Sequence, residues 1–175
     1  FTLLPLIGSK ELGLSPGQLG AIFTLPPVIA FLLLPLAGSI SDKYGRKRTI
    51  VPGLLIVSLS LFVLGSSSSL ILFVVGMTLY GIGSGIEGPT PVAYVADISS
   101  SNLQGIGQGI VRSAADFALL IAPPVMGFVA DMFSSSTALL ANGMVAAILG
   151  ILFLMFAKES AGMKLVSQGT GEDRE

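Results

Sequence analysis

Asp42, Lys43, Arg46, Lys47 and Arg48 crowd into seven residues of a chain in which only 11% of residues are charged. Asp42 stands four residues ahead of Arg46, and a guanidinium at that distance can grip a carboxylate through two hydrogen bonds. Glu87 stands alone in a long apolar run, beside Gly88 and Pro89. An ionisable group in such a run is costly and is read by default as functional, here as a candidate carrier of a coupling proton. Arg112 and Asp116 repeat the four-residue spacing and form a candidate pair on one helix face, for structure or for gating. The chemistry on offer is ion pairing and proton carriage. His and Cys are both absent from the sequence, which removes the commonest general base, the commonest metal ligand and any thiolate or disulfide. With the remaining carboxylates scattered, an enzyme, a metal site and a cofactor are not expected.

The elements that must position these groups are apolar helices. Hydrophobic residues make up 52% of the chain and the mean hydropathy is +0.88, a composition for a surface that meets lipid rather than water. The net charge of −1 offers nothing to nucleic acid. A spanning helix needs roughly 20 mostly apolar residues to cross about 30 Å of hydrocarbon. Such runs predict spans over 18–40, 50–68, 70–96, 106–130 and 137–157, after a stub at 1–7 that reads as the end of a further helix. The expected architecture is an all-α, polytopic transmembrane half-bundle over 1–157, followed by a polar tail over 158–175. The chain opens on Phe1 with no basic region before its first apolar run, so it reads as beginning inside a larger protein rather than with a secretory signal.

Short connections make successive helices antiparallel neighbours. Ser15 is placed to cap the first full span, with Pro16 just inside it. One membrane face then carries Lys43, Arg46, Lys47, Arg48, Lys158 and Lys164, against Lys10 on the other. The Lys/Arg excess assigns the loop over 41–49 and the tail to the cytoplasm, in a multi-pass protein of the plasma (inner) membrane. Gly81 with Gly85, and Gly105 with Gly109, are spaced to let helix backbones approach closely. Prolines within the spans imply bends, tolerated where protein or a wet cavity satisfies the freed backbone groups. The run Gly83–Gly88 fits G-x-G-x-x-G, but that fingerprint needs a preceding strand and a βαβ unit, so nucleotide binding is discounted. Asp131 reads as interfacial, Asn142 as an interhelical hydrogen-bonding group, and Tyr80 and Tyr94 as either cavity-lining or packing residues.

The stretch GSISDKYGRKR resembles the signature loop of the major facilitator superfamily, G-x-x-x-D-[KR]-x-G-[KR]-[KR]-[KR], at Gly38, Asp42, Lys43, Gly45, Arg46, Lys47 and Arg48. In that family the loop joins the second and third helices of each six-helix half, which is where the stub places it here. GIVRSAADFALLIAPPVMGFVAD resembles the fifth helix of a half, and LGLSPGQLG the segment leading into the second. Amino-terminal halves commonly carry an Arg where this chain has Met77. That departure, with Arg112 and Asp116 in R-S-A-A-D, favours the carboxy-terminal half and puts the antiporter role of the missing Arg in doubt.

The resemblance implies transport of a small solute by alternating access, in which two halves rock about a midplane site. Its partners would be the bilayer, a small-molecule substrate and the other six-helix half, in the same chain if this is a fragment and otherwise in a second copy. It further implies that Asp42 engages a helix N-terminus of the opposite half and a neighbouring Arg, latching one conformation. Asp97, at the cytoplasmic end of the third full span, reads as a third member of the cluster. Proton-coupled efflux is the favoured form. A non-transporting scaffold or sensor with the same fold is the alternative, and a membrane enzyme a weaker one.

Overall fold

The computed structural model describes residues 3–88, 90–100 and 102–157. The expected tail over 158–175 lies outside the described residues, as do Phe1, Thr2, Pro89 and Ser101. Every regular element among the described residues is helical. A short α1, Leu4–Leu6, runs into one wide turn at Ile7–Glu11. There follow α2 (Pro16–Tyr44), α3 (Lys47–Gly65), α4 (Leu70–Glu87), α5 (Thr90–Ile98), α6 (Gln104–Met132) and α7 (Ser135–Phe156). With α4 and α5 taken as one stretch, five helical stretches are long and apolar enough to cross a membrane.

Local signals set the helix ends. Ser15 Oγ accepts from Gln18 N at 3.3 Å while Gln18 Oε1 accepts from Ser15 N at 2.9 Å, a reciprocal box that satisfies two orphan donors of α2. Ser69 and Ser134 cap α4 and α7 by accepting from Leu72 N and Thr137 N. α2 stops at Gly45, whose φ of 103° is closed to most side chains. Its 29 residues measure about 43 Å at 1.5 Å each, more than the hydrocarbon thickness, so its last turn projects towards the headgroups. That turn carries Asp42 and Lys43 beyond the span expected to end at residue 40. Pro26, Pro27 and Pro35 in α2, and Pro123 and Pro124 in α6, lie inside continuous helices.

α4 is the pivot of the bundle, packing on α2 with one face and on α3 with another, while α3 also packs along α7. Leu4, Ile7, Ile22, Leu61, Leu64, Phe73, Met77 and Leu139 make the buried core. Glycines set the spacing around α4. A Cβ on Gly81 would sit 2.8 Å from Pro26 Cα, and one on Gly85 2.8 Å from Ala30 Cα, so α2 and α4 touch backbone to backbone. On the α3 side, a Cβ on Gly53 would sit 2.8 Å from Glu87 Cβ.

The second glycine pair behaves differently. Among the described residues nothing lies within 4 Å of the Cβ positions of Gly105 or Gly109, and no residue of α6 is buried. Leu119 and Leu120 are 71% and 70% exposed. A helix this apolar and this bare needs lipid or another protein surface against it, since the transfer of such side chains to water is unfavourable. Asn142 also departs from expectation. It is exposed, and it makes no hydrogen bond to another helix among the described residues.

Candidate functional site

The charged loop is a joint between three helix ends. Gly45 turns the chain out of α2 and its N–H still donates to Ser41 O at 3.0 Å, so Arg46 follows within one turn of Asp42. Arg46 Nη1 meets Asp42 Oδ1 at 2.6 Å and donates to Ser41 Oγ at 3.1 Å. Its Nε donates to Asp97 Oδ2, at the end of α5, at 2.9 Å. The guanidinium therefore bridges α2 and α5 through two carboxylates. The two contacts differ in kind. The Arg46 and Asp97 side chains are 12% and 10% exposed, whereas that of Asp42 is 66% exposed. Burial by itself would lower the Arg46 pKa. The hydrogen bond and charge of Asp97, aided by the charge and hydrogen bond of Asp42, outweigh it and hold the group above its ordinary value.

Lys47 extends the joint to the last helix. Its Nζ donates to Ala157 O, the C-cap carbonyl of α7, at 2.9 Å, a cation on the partially negative end of a helix. Thr49, buried in the first turn of α3, donates to Gly45 O at 3.4 Å. Lys43 lies 5.3 Å from the Tyr44 ring centroid, and Arg48 is exposed. Gly38 is half-buried with nothing near its Cβ position. Local spacing predicts the Asp42–Arg46 pair. The roles of Ser41 and of Lys47, whose partner is 110 residues away, have no signal in the sequence.

The other candidates lie apart from the loop. Glu87 ends α4 half-buried, its Cβ against Gly53 of α3. Arg112 Nε and Asp116 Oδ2 pair at 3.3 Å along α6, with side chains 81% and 56% exposed, so that pair is a solvated or partner-facing one. Asp131 is exposed at the far end of α6. Tyr94 packs edge-on against Phe153 with ring centroids 5.4 Å apart, a packing role. Tyr80 lines a cavity of about 260 Å³ with Leu119, Pro123, Met126 and Asn142. A wider groove of about 560 Å³ adjoins it between α6 and α7, where Asn142 is again a polar point among apolar side chains. Both concavities are walled mainly by apolar side chains, with few polar groups.

Sequence comparison agrees with this geometry. The family model described as Major Facilitator Superfamily matches residues 1–172. The chain belongs to the Major Facilitator Superfamily. Within this family it is 30% identical over 148 residues to Multidrug resistance protein 2 of Bacillus subtilis (strain 168), covering 79% of this chain and 37% of that protein. It is 31% identical over 147 residues to Multidrug resistance protein 1 of the same organism, covering 83% and 38%. It is 25% identical over 153 residues to Quinolone resistance protein NorA of Staphylococcus aureus, covering 86% and 39%. The chain thus spans about two fifths of the length of these relatives. The G-x-G-x-x-G of the facilitator chain lies within α4 and its end, where Gly83 and Gly85 are buried at helix contacts and act as packing residues, while Gly88 is exposed.

Proposed function

We propose that this chain is one six-helix half, the carboxy-terminal one, of a transporter that exports small lipophilic solutes by alternating access. The observation that carries this reading is Arg46 bridging the exposed Asp42 and the buried Asp97 within the family's signature loop. Such a joint has one permanent contact and one exchangeable contact. Arg46 and Asp97 hold this half together, and Asp42 is free enough to trade Arg46 for a helix end of the opposite half as the halves rock. The bare face of α6 with Gly105 and Gly109, and the open space beside Gly38, fit a surface on which that half packs. The loop faces the cytoplasm by its excess of Lys and Arg. The names of the relatives point to drug-like solutes, in keeping with the apolar walls around Tyr80 and Asn142. The same walls, and the lack of His and Cys, argue against an enzyme. Glu87 is the candidate proton carrier, and Arg112 with Asp116 the candidate gate pair.

The test uses the full-length native protein in proteoliposomes with an imposed pH gradient and a fluorescent lipophilic dye. Gradient-driven dye movement is expected, slowed in Asp42→Asn and stripped of its pH dependence in Glu87→Gln. A wild-type protein that moves no dye under any gradient sinks the drug-export reading. Unchanged pH dependence in Glu87→Gln removes that residue from coupling while leaving transport standing.

A further inference from the structure

α2 and α3 both pack on α4 but touch each other little. A fissure of about 290 Å³ opens between them, walled by Leu33, Ala37, Ile40, Pro52 and Ile86. It runs along α2 from Ile40, near the charged loop, to Leu33, seven residues or about 10 Å deeper at 1.5 Å per residue. The cation of the lining, Arg48, lies in the first turn of α3 and so at the loop end of the slot. Arg48 is exposed and makes no ion pair with any described residue, in contrast to Arg46. Exposed Lys43, in the last turn of α2, adds a second positive charge at the same end. Among the described residues no carboxylate lines the fissure.

We propose that this fissure is a binding site for an anionic phospholipid, with an acyl chain in the slot and the phosphate on Arg48. The inference rests on the reading that the chain spans a bilayer with its loop at the cytoplasmic face. An apolar slot two turns deep with a guanidinium at its headgroup end matches such a lipid in both shape and charge. A phosphate presents oxygens that a guanidinium fork binds in pairs. Anionic lipids of the cytoplasmic leaflet attract basic groups at about 1 kcal/mol each, which is about fivefold in affinity. Lipid in the slot would fasten α2 to α3 where the protein itself does not, next to the Asp42–Arg46 joint.

Native mass spectrometry of the full-length protein is the direct test, with phosphatidylglycerol, phosphatidylcholine of the same chains, and glycerol 3-phosphate as the headgroup without tails. The expected result is retention of phosphatidylglycerol about fivefold over phosphatidylcholine, kept in Arg48→Lys and lost in Arg48→Gln. Ile40→Phe, at an exposed lining position, should lower retention with Arg48 intact. Equal retention of the two lipids, or no change in Arg48→Gln, overturns the charge assignment. Unchanged retention in Ile40→Phe overturns the slot. Displacement by glycerol 3-phosphate shows a simple anion site and overturns the lipid assignment. Binding is scored without solute or gradient, so a protein that retains the lipid but moves no dye refutes only the transport reading.

Discussion

The two carboxylates on Arg46 should be unequal, and the inequality can be measured. Asp97→Asn strips the charge from a contact in which both side chains are about nine-tenths buried. Removing one partner of a buried pair typically costs about 3–5 kcal/mol, because the other charge is left uncompensated. Here Asn keeps one acceptor for Arg46 Nε, and Asp42 still neutralises the guanidinium, so about 2–3 kcal/mol is expected. Asp42→Asn acts on a side chain that is 66% exposed, where ion pairs contribute under about 1 kcal/mol. The assay is equilibrium unfolding in mild detergent, with Arg46→Gln as the common partner in two double-mutant cycles. The Arg46–Asp97 cycle should give about 2 kcal/mol of coupling and the Arg46–Asp42 cycle under about 0.5 kcal/mol. Transport should rank the variants the other way, with Asp42→Asn impaired although nearly as stable as wild type. Equal couplings, or a larger one for Asp42, would refute the division into a fixed and an exchangeable contact. The folded pKa of Arg46 lies above its ordinary value. Its contribution is therefore complete below the unfolded pKa and lost only as pH rises through the folded one, leaving this term flat between about pH 5 and pH 9.

Three further outcomes follow from the packing and the turns. Gly85→Ala puts a methyl 2.8 Å from Ala30 Cα and should cost about 1–3 kcal/mol in detergent unfolding as α2 is pushed off α4. Gly45→Ala forces a side chain onto a φ of 103° and should cost about 1–3 kcal/mol, with the loss appearing as faster proteolysis at the loop. Lys47→Met removes the cation from the C-cap of α7 at Ala157 and should cost about 0.5–1 kcal/mol, read as faster hydrogen exchange of the last α7 amides while those of α3 stay protected.

Features whose causes are local in the chain were legible before any coordinates. The Ser15 cap and the Asp42–Arg46 pair each depend on residues within four positions of one another, and apolar runs of spanning length announce the helices. Asp97 is legible as well, from its place at the loop end of the third full span, though 51 residues separate it from Arg46. Glycine spacing alone was ambiguous. Gly81 with Gly85 and Gly105 with Gly109 look alike as strings, yet one pair lies against α2 and the other against nothing among the described residues. Which it would be depends on where α2 and α6 stand in the bundle, and no residue near either pair encodes that. Asn142 was assigned a bond because a polar group in a span wants one, but the neighbours that decide the matter sit on other helices. For Lys47 the sequence offers a basic position of the signature loop but not its partner, since a carbonyl 110 residues away leaves no trace in residue type.

The contacts of Arg46 and Lys47 also impose an order in time. A chain emerges from its N-terminus, so the basic loop is made about 50 residues before Asp97 and 110 before Ala157. Throughout that interval the buried partner of Arg46 and the helix end that receives Lys47 do not yet exist. In that interval Arg46 has only Asp42 and Ser41, its neighbours in the chain, to bond, and Lys47 lacks its α7 carbonyl. Only when α5 and then α7 arrive are two of those cations drawn into fixed contacts. The same two side chains are thus the last fastenings of the loop, one to α5 and one to α7, made only after the helices between them exist.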